Sequence, residues 1–497
     1  MEKEKDWIWE ENKAIRDGER APGEEKQPGD RITGTLETDM THLNRILDVE
    51  KNFDIIYRVI RIGGKEACMY LVDGFCKDDL VQKLLQYFMY LTPEKLPKDM
   101  HELSKQCTPY VEVSIDDSCN TLIQSLLSGM FVLLIDGYEK ALVIDARTYP
   151  SRGVEEPEKD KTLRGSKDGF VETLVSNTAL IRRRIRSADL HMEMLTAGES
   201  SHTDIALCYM KGRADEAFLE EIRGKIKNIR ADSLTMNQES LAECLYRRKW
   251  YNFFPKFKYT ERPDAAAAQV LEGNIVILVD NSPSAMILPT TIFDVLEEAD
   301  DYYFPPITGT YLRITRFLIS LLTYLVTPTF LLLMNNPQWI PEQFSFIMLQ
   351  EEPNLPLIWQ FLVLELAIDG LKLAAINTPN MLSTPLSVMA ALVLGEFSVN
   401  SGWFSSEVML YMAFVAIANY TQSNYELGYA LKFLRMITLL LTQWFRVWGY
   451  VGGILLSVLA VCCNRTVSHR SFIYPLIPFD WKKLKSRLIR TRLPGAK

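Results

Sequence analysis

The sequence is poor in the residues and motifs on which catalytic and metal sites depend. Its 497 residues include only five histidines, and none of them has the spacing of a metal-ligand pair. The eight cysteines are scattered without a CxxC pair, which excludes a zinc ribbon and a thiol–disulfide motif. The sequence also lacks a P-loop, a GxGxxG turn, an HExxH helix and a GxSxG elbow. We therefore expect a protein that is not an enzyme and that uses no cofactor and no metal.

Charge and hydropathy are unevenly distributed along the chain. The N-terminus, MEKEKDWIWEENKAIRDGER, lacks the apolar core of about 7–15 residues that a secretory signal peptide requires. The net charge is −14 over residues 1–312, −2 over residues 313–463 and +8 over residues 464–497. The overall charge of −8 does not favour a nucleic-acid partner, which would require a basic domain. This pattern predicts an acidic cytoplasmic region, an apolar middle and a short basic tail.

The acidic region is expected to contain two small subdomains. Residues 1–40 are charged and interrupted by glycine and proline, which predicts a flexible tail. Residues 41–150 alternate between helical and strand periods, with a hairpin signal at Gly63-Gly64, and predict a first α/β subdomain. The charged segment 151–168 is typical of a linker. Residues 169–305 predict a second α/β subdomain, because strands alternate with helices.

Residues 306–463 predict a transmembrane helical domain. Phe317–Met334 is 18 residues long without a charge, which reaches the usual threshold for a membrane-spanning helix. Arg313 and Arg316 precede it and place that end on the cytoplasmic side. Four more apolar segments cover residues 357–375, 382–399, 404–424 and 436–463. The expected fold is an α/β N-terminal region of two subdomains followed by an α-helical polytopic membrane domain.

The charges between the apolar segments predict the topology. The 335–356 loop contains three glutamates and no lysine or arginine, so we expect it outside. The basic tail, 464–497, is expected inside as an amphipathic segment on anionic membrane lipid. Two ends on one side require an even number of crossings, so one of the five segments, such as 382–399, is expected to be re-entrant. This four-crossing arrangement places Lys432 and Arg435 at the outer face.

Ionisable residues within the apolar segments are the main candidates for function. Glu365, Asp369 and Lys372 are spaced four and three residues apart and share one face of a helix. Such groups are costly at membrane depth unless they pair or line a hydrated cavity, so they predict an ion pathway. The alternative is an Asp369–Lys372 ion pair with Glu365 hydrogen-bonded between helices. Glu396 and Arg446 are further candidates, and Arg446 would either set ion selectivity or form a structural contact with a glutamate.

Three ordered blocks of the sequence carry a resemblance to a known family. The first is Arg164-Gly165-Ser166-Lys167-Asp168-Gly169-Phe170, and the second is Tyr259-Thr260-Glu261-Arg262-Pro263-Asp264. The third lies in the membrane region and includes Ile340-Pro341, Glu365-Leu366 and Leu434-Arg435. Together these blocks resemble the A subunits of bacterial spore germination receptors, the GerA family. Within that family the chain resembles a sporulation paralogue more than a nutrient receptor subunit.

The resemblance implies a location, an assembly and an activity. It implies a multi-pass protein of the spore inner membrane, whose N-terminal domain and basic tail face the spore core. It also implies a homo-oligomer, specifically a pentamer, around an ion channel that releases monovalent cations and amplifies the germination signal. The implied partners are the germinant receptors and a small polytopic membrane protein. Asp300, Asp301, Tyr302 and Tyr303, which precede the first membrane helix, would couple the soluble domains to the membrane helices.

Two other functions are compatible with the sequence. A component of dipicolinic acid transport would carry an anion, and would favour Lys372 and Arg446 over Glu365 and Asp369 as pathway residues. In a non-conducting scaffold or sensor, the membrane carboxylates would be structural. In that case the isosteric changes Glu365→Gln and Asp369→Asn would leave function intact.

Overall fold

The computed structural model describes residues 31–149, 165–379, 384, 387–422 and 424–490. The chain divides into two compact units, of which the first covers residues up to 150 together with 186–188, and the second covers the rest. Most of the expected acidic tail and linker, and the signature residue Arg164, lie outside the described residues.

The first unit is a five-stranded antiparallel sheet with helices packed on it. Its hairpin turn is the predicted one, since Gly63 and Gly64 have φ of 53° and 83°, the geometry that two-residue hairpin loops favour. The first helix begins at Leu36, within the range expected to be a flexible tail, because Asp39 accepts hydrogen bonds from the backbone N–H groups of Thr33 (2.9 Å) and Gly34 (3.1 Å). The elements are α1 (Leu36–Leu47), β1 (Ile55–Ile62), β2 (Lys65–Val72), α2 (Asp78–Met89), α3 (Met100–Gln106), β3 (Val113–Asp116), α4 (Cys119–Leu127), β4 (Phe131–Ile135) and β5 (Ala141–Ile144).

The second unit opens with a sheet of the same topology. The strand order is β1-β2-β4-β5-β3 in the first sheet, and the second repeats it with all pairs antiparallel. Each sheet is built in chain order from two strands, two helices, a strand, a helix and two strands. The elements of the second are α5 (Leu174–Arg184), β6 (Leu190–Ala197), β7 (Thr203–Met210), α6 (Glu216–Lys227), α7 (Gln238–Leu245), β8 (Lys258–Thr260), α8 (Pro263–Leu271), β9 (Ile275–Val279) and β10 (Ala285–Leu288).

The rest of the second unit is helical. Two of its helices, of 30 and 39 residues, are long and apolar enough to cross a membrane by length and composition. The expected fold class, two small α/β sheets followed by a helical C-terminal region, is therefore confirmed. The elements are α9 (Ile292–Leu296), α10 (Asp300–Tyr303), α11 (Pro306–Asn335), α12 (Leu357–Asn377), α13 (Ser387–Asn400), α14 (Ser406–Tyr420), α15 (Tyr425–Cys463) and α16 (Trp481–Leu488).

Helix α15 is folded back on itself at Arg446. A straight helix of this length would extend roughly 58 Å, almost twice the thickness of the hydrocarbon layer. Arg446 instead has φ 49° and ψ −123°, which interrupts the helix. The Tyr324 hydroxyl of α11 hydrogen-bonds both Thr438 Oγ1 (2.9 Å) and Ser457 Oγ (2.8 Å), so the residues on either side of the break converge. Residues 425–445 and 447–463 therefore form an antiparallel helical hairpin.

Contacts at the helix ends show which ends of the helices lie close together. Both ends of α15 lie against the loop before β8, because Glu426 pairs with Arg248 (2.9 Å) and Lys256 Nζ donates to the carbonyl oxygen of Arg465 (2.6 Å). The end of α14 returns to the middle of α11, where Gln422 donates to Ser320 Oγ (2.6 Å). The fold-back at residue 446 thus reverses the direction of the chain within the apolar segment that was expected at 436–463. The number of membrane crossings stays a prediction.

Candidate functional site

Asp301 anchors a cluster of ion pairs where the second α/β sheet meets α11. Its side chain is fully buried and accepts hydrogen bonds from Arg313 Nε (3.2 Å) and from both terminal nitrogens of Arg316 (2.9 and 2.7 Å). Arg313 also donates to Glu297 (2.8 Å). Buried charges are tolerated when they are paired and hydrogen-bonded in this way. Of the four predicted coupling residues, Asp301 is thereby joined to α11, and the Tyr302 ring centroid lies 4.9 Å from the Arg313 guanidinium. Asp300 is half-buried at the start of α10.

Tyr303 joins the same segment to the two signature blocks. Its hydroxyl donates to the Asp264 carboxylate, which also binds the fully buried guanidinium of Arg262 (3.1 and 2.6 Å). Arg262 reaches on to the carbonyl oxygen of Ser166 (2.9 Å). The ring of Tyr303 packs against Gly165, whose φ is +113°. The structure therefore brings together signature and coupling residues that are far apart in the sequence.

The other signature residues hold the two blocks side by side. Phe170 is buried, and its backbone N–H donates to the carbonyl oxygen of Glu261 (2.8 Å). Gly169 is buried next to it, and Pro263 occupies the first turn of α8, where its missing N–H costs nothing. These residues hold the segment that carries Arg262 and Asp264 against the first signature block.

Helix α16 in the basic tail completes the cluster of ion pairs around Asp301. Arg487 pairs with Glu297 (2.6 Å) and Asp294 (2.9 Å). Arg313 donates to the carbonyl oxygens of Ser486 (3.2 Å) and Arg487 (3.3 Å), at the end of the helix where carbonyl groups lack helical partners. Burial acts to raise the pKa of the Glu297 carboxyl, yet Arg487, Lys258 and Arg313 hold that pKa below its ordinary value. The carboxylate therefore stays ionised at neutral pH.

Replacing Gly165 with alanine is expected to disrupt the contact between the signature and Tyr303. A Cβ at Gly165 would overlap the Tyr303 ring, so the ring and its hydrogen bond to Asp264 would have to move. Gly212→Ala is a matched control, because Gly212 also has positive φ (+74°) but open space around it. The backbone strain should cost about 1–2 kcal/mol in both variants, and Gly165→Ala should lose a further 1–3 kcal/mol, roughly, from overpacking. Equal thermal denaturation midpoints for the two variants would contradict this contact.

A second charged cluster lies within the helical region. Glu365 of α12 and Arg435 of α15 are both buried and form an ion pair in which Arg435 Nε (2.8 Å) and Nη2 both donate to Glu365 Oε1. Arg435 also donates to the carbonyl oxygen of Thr323 on α11 (2.8 Å). Thr323 follows Arg316 by seven residues, which corresponds to about 10 Å along the helix. One guanidinium therefore joins three helices at a level inside the apolar part of α11.

Lys432 extends this cluster to Asp369. Its ammonium group donates to the Asp369 carboxylate and to the carbonyl oxygen of Glu365 (3.1 Å), and lies 3.4 Å from Glu365 Oε2. The four side chains carry two negative and two positive charges, which limits the cost of burying them. Lys432 and Arg435 were expected at the outer face. Their side of the membrane stays a prediction, whereas tertiary packing brings both cations beside α12, where they pair with Glu365 and Asp369.

The remaining pathway candidates do not join this cluster. Lys372 is half-buried, and its ammonium group lies 5.4 Å from the ring centroid of Tyr420. It therefore does not form the i,i+3 pair with Asp369 that was one of the alternatives, since Asp369 pairs with Lys432. Glu396 is exposed on the π-helical stretch Ala391–Phe397, and Arg446 is exposed at the tip of the α15 hairpin. Two of the five candidates, Glu365 and Asp369, are thus brought together.

Comparisons with known proteins agree with the resemblance described above. A family model for the Bacillus/Clostridium GerA spore germination protein matches residues 41–497. Stage V sporulation protein AF of Bacillus subtilis is 36% identical over 447 residues, covering 90% of this chain and 90% of that protein. Spore germination protein KA of Bacillus subtilis is 26% identical, covering 89% of this chain and 82% of that protein.

One solved structure has a limited similarity to the chain. The crystal structure of the N-terminal domain of the A subunit of the Bacillus megaterium spore germinant receptor GerK3 is 26% identical and aligns with a TM-score of 0.38, covering 53% of this chain and 98% of that chain. The family match covers most of the chain, and the chain is 36% identical to the sporulation protein. The chain therefore belongs to the GerA family of spore germination proteins.

Proposed function

We propose that the chain is the subunit of an oligomeric channel of the spore inner membrane that releases monovalent cations and amplifies the germination signal. The assembly is a homo-oligomer, a pentamer, that acts with the germinant receptors and a small polytopic membrane protein. The N-terminal domain and the basic tail face the spore core, and the helical region crosses the membrane several times. Family membership supports a role in germination.

The charged cluster on α12 carries this proposal. Glu365 and Arg435 are neutralised by each other, which favours a structural role for both. Asp369 differs, because its side chain remains 26% exposed at the edge of the cluster. Next to it, Leu366 and Leu373 expose 74% and 60% of their surface, so this side of α12 is uncovered within one chain. We place Asp369 on the ion pathway, with α12 lining the pathway in the assembly, because a carboxylate at a pore favours cations.

The two clusters suggest how the soluble domains control the pathway. Asp301 holds Arg313 and Arg316 at the base of α11, and α11 presents the Thr323 carbonyl oxygen to Arg435. Arg435 in turn holds Glu365 on α12. A displacement of α10 relative to α11 is therefore expected to change the position of α12. This chain of direct contacts is the physical basis of the proposed coupling.

Potassium flux from sealed proteoliposomes tests the channel. Asp369→Asn is the informative variant, because Lys432 keeps its contacts with Glu365 and the fold should persist. We expect flux from the wild type and a loss of roughly tenfold in Asp369→Asn, the lower end of the gain that a charged mouth gives to ion capture. Glu352→Gln, in an exposed loop, should leave the flux unchanged.

A non-conducting scaffold is the second candidate, and the complete pairing of Glu365 favours it. Folded, oligomeric protein that conducts neither alone nor with its membrane partner would establish that alternative. If the flux is identical in the wild type and Asp369→Asn, the protein is a channel but Asp369 does not lie on its ion pathway.

A further inference from the structure

The loop between α7 and β8 is firmly anchored at its base. Phe254 and Phe257 are 5% and 1% exposed, and the buried ammonium of Lys256 donates to Asn464 Oδ1 and to the carbonyl oxygen of Arg465 (2.6 Å). These contacts fix the loop to the end of the α15 hairpin. The tip of the loop is therefore held in place by a buried base and is not part of a freely moving segment.

The tip of this loop exposes large aromatic side chains. The backbone N–H of Asn252 donates to the carbonyl oxygen of Lys249 (2.8 Å), which closes a turn around Trp250 and Tyr251. Trp250 is 96% exposed and Tyr251 is 58% exposed, and their ring centroids are 6.0 Å apart. An anchored turn that presents two adjacent aromatic rings to solvent is typical of a binding surface.

The tip lies beside the first turns of α15. The ring of Phe253 is 5.6 Å from that of Phe433, which is itself 42% exposed on the outside of the helix. Arg248 pairs with Glu426 at the start of the same helix (2.9 Å). Phe433 adjoins Lys432, which binds Asp369. The base of the aromatic tip therefore packs against α15 about two turns from the start of that helix.

We propose that residues 247–251 form an interfacial loop that inserts Trp250 and Tyr251 among the headgroups of an anionic bilayer. This inference rests on the proposed membrane location of α15. Amphipathic Trp and Tyr side chains prefer this layer, since their rings contact acyl chains while their polar groups stay hydrated. Arg247 and Lys249 are exposed on either side of the paired Arg248 and supply the charge that binds phosphate groups. The loop would fix the depth and rotation of the α/β sheet at the membrane.

Charge favours a lipid over a second copy of the chain as the occupant. The first 312 residues have a net charge of −14, so this basic loop stands out against an acidic soluble region. An anionic bilayer would neutralise the positive charge of the loop. The same bilayer would repel the rest of the soluble region, which is acidic. If the loop contacted a second copy of the chain instead, the signal from the loop would depend on protein assembly and not on lipid charge.

Fluorescence quenching of the full chain in nanodiscs tests the interfacial loop. An environment-sensitive fluorescent amino acid at Tyr251 reports contact with lipids that carry a nitroxide in the headgroup. The same amino acid at Leu321, an exposed position of α11, reports insertion of the helical region through lipids labelled in the acyl chain. We expect quenching at both positions. The phosphatidylglycerol fraction needed for half-maximal quenching at residue 251 should rise roughly fivefold in Lys249→Gln. It should not change in Lys227→Gln, since Lys227 is an exposed lysine at the end of α6.

The two reporters separate failure of this inference from failure of the membrane location. Quenching at residue 321 without quenching at residue 251 would overturn the interfacial loop and leave the helical region in the membrane. Absence of quenching at both positions would overturn both. Quenching at residue 251 that is equal in phosphatidylcholine and phosphatidylglycerol, or a signal that changes only with protein assembly, would overturn recognition of anionic lipid.

Discussion

Replacing Arg435 with methionine is expected to destabilise the helical region by about 3–5 kcal/mol, because it leaves Glu365 buried as an incompletely compensated charge. Arg435 is fully buried and Glu365 is 3% exposed, so water cannot solvate the remaining carboxylate in place of the guanidinium. The variant also removes the bond to the Thr323 carbonyl oxygen and thereby separates α11 from the cluster. The thermal denaturation midpoint in detergent, together with the yield of monodisperse protein, measures the effect.

The double variant Glu365→Gln/Arg435→Met distinguishes charge pairing from simple packing. Removing both charges leaves no unpaired ion, so the double variant should be more stable than either single variant. Lys372→Gln is a suitable control, since Lys372 is half-buried and lies outside the four-residue cluster. A wild-type midpoint for Arg435→Met, or a double variant that shows the full sum of the single losses, would contradict the proposed pairing.

Gly449→Ala is the second substitution with a large expected effect. The hairpin brings the two arms of α15 so close that a Cβ at Gly449 would overlap the carbonyl oxygen of Leu441. A backbone atom cannot move aside as a flexible side chain can, so the arms would have to separate. We expect a loss of about 3 kcal/mol, the upper end of the usual cost of overpacking. Gly453, near Thr438, is a further position of close approach.

Gly452 provides the matched control for this prediction. It lies three residues further along the same arm, and a Cβ built on it would meet no atom within 4 Å. Alanine is a better helix former than glycine, so Gly452→Ala should be neutral or slightly stabilising. If α15 were one straight helix, both substitutions would behave alike. Equal denaturation midpoints for the two variants would therefore reject the hairpin.

Local sequence signals predicted part of the α/β region well. The Gly63-Gly64 hairpin was predictable because both turn residues have positive φ, a conformation that strongly favours glycine. Strands β8 and β10, of three and four residues, are too short to show a period and depend on pairing with distant strands. The common strand order of the two sheets is likewise a property of tertiary pairing, which the periodicity of a single sequence does not report.

The candidate site shows the same limit in the helical region. A charge in an apolar segment predicts a partner, and this reasoning correctly singled out Glu365 and Asp369. It did not identify Arg435 and Lys432, because these partners are more than 60 positions away in the chain. The break in α15 was not predicted either, since the helix is interrupted at an arginine and not at a proline or glycine, the residues that usually mark a break.

Cation conduction by the oligomer is tested most directly by the reversal potential across a planar bilayer. The purified oligomer, with its membrane partner where required, is measured under a tenfold gradient of potassium chloride. The account predicts a reversal potential that approaches the potassium equilibrium value, about 59 mV in magnitude, and that moves toward zero in Asp369→Asn. A reversal potential on the chloride side would contradict it and would favour transport of an anion such as dipicolinate.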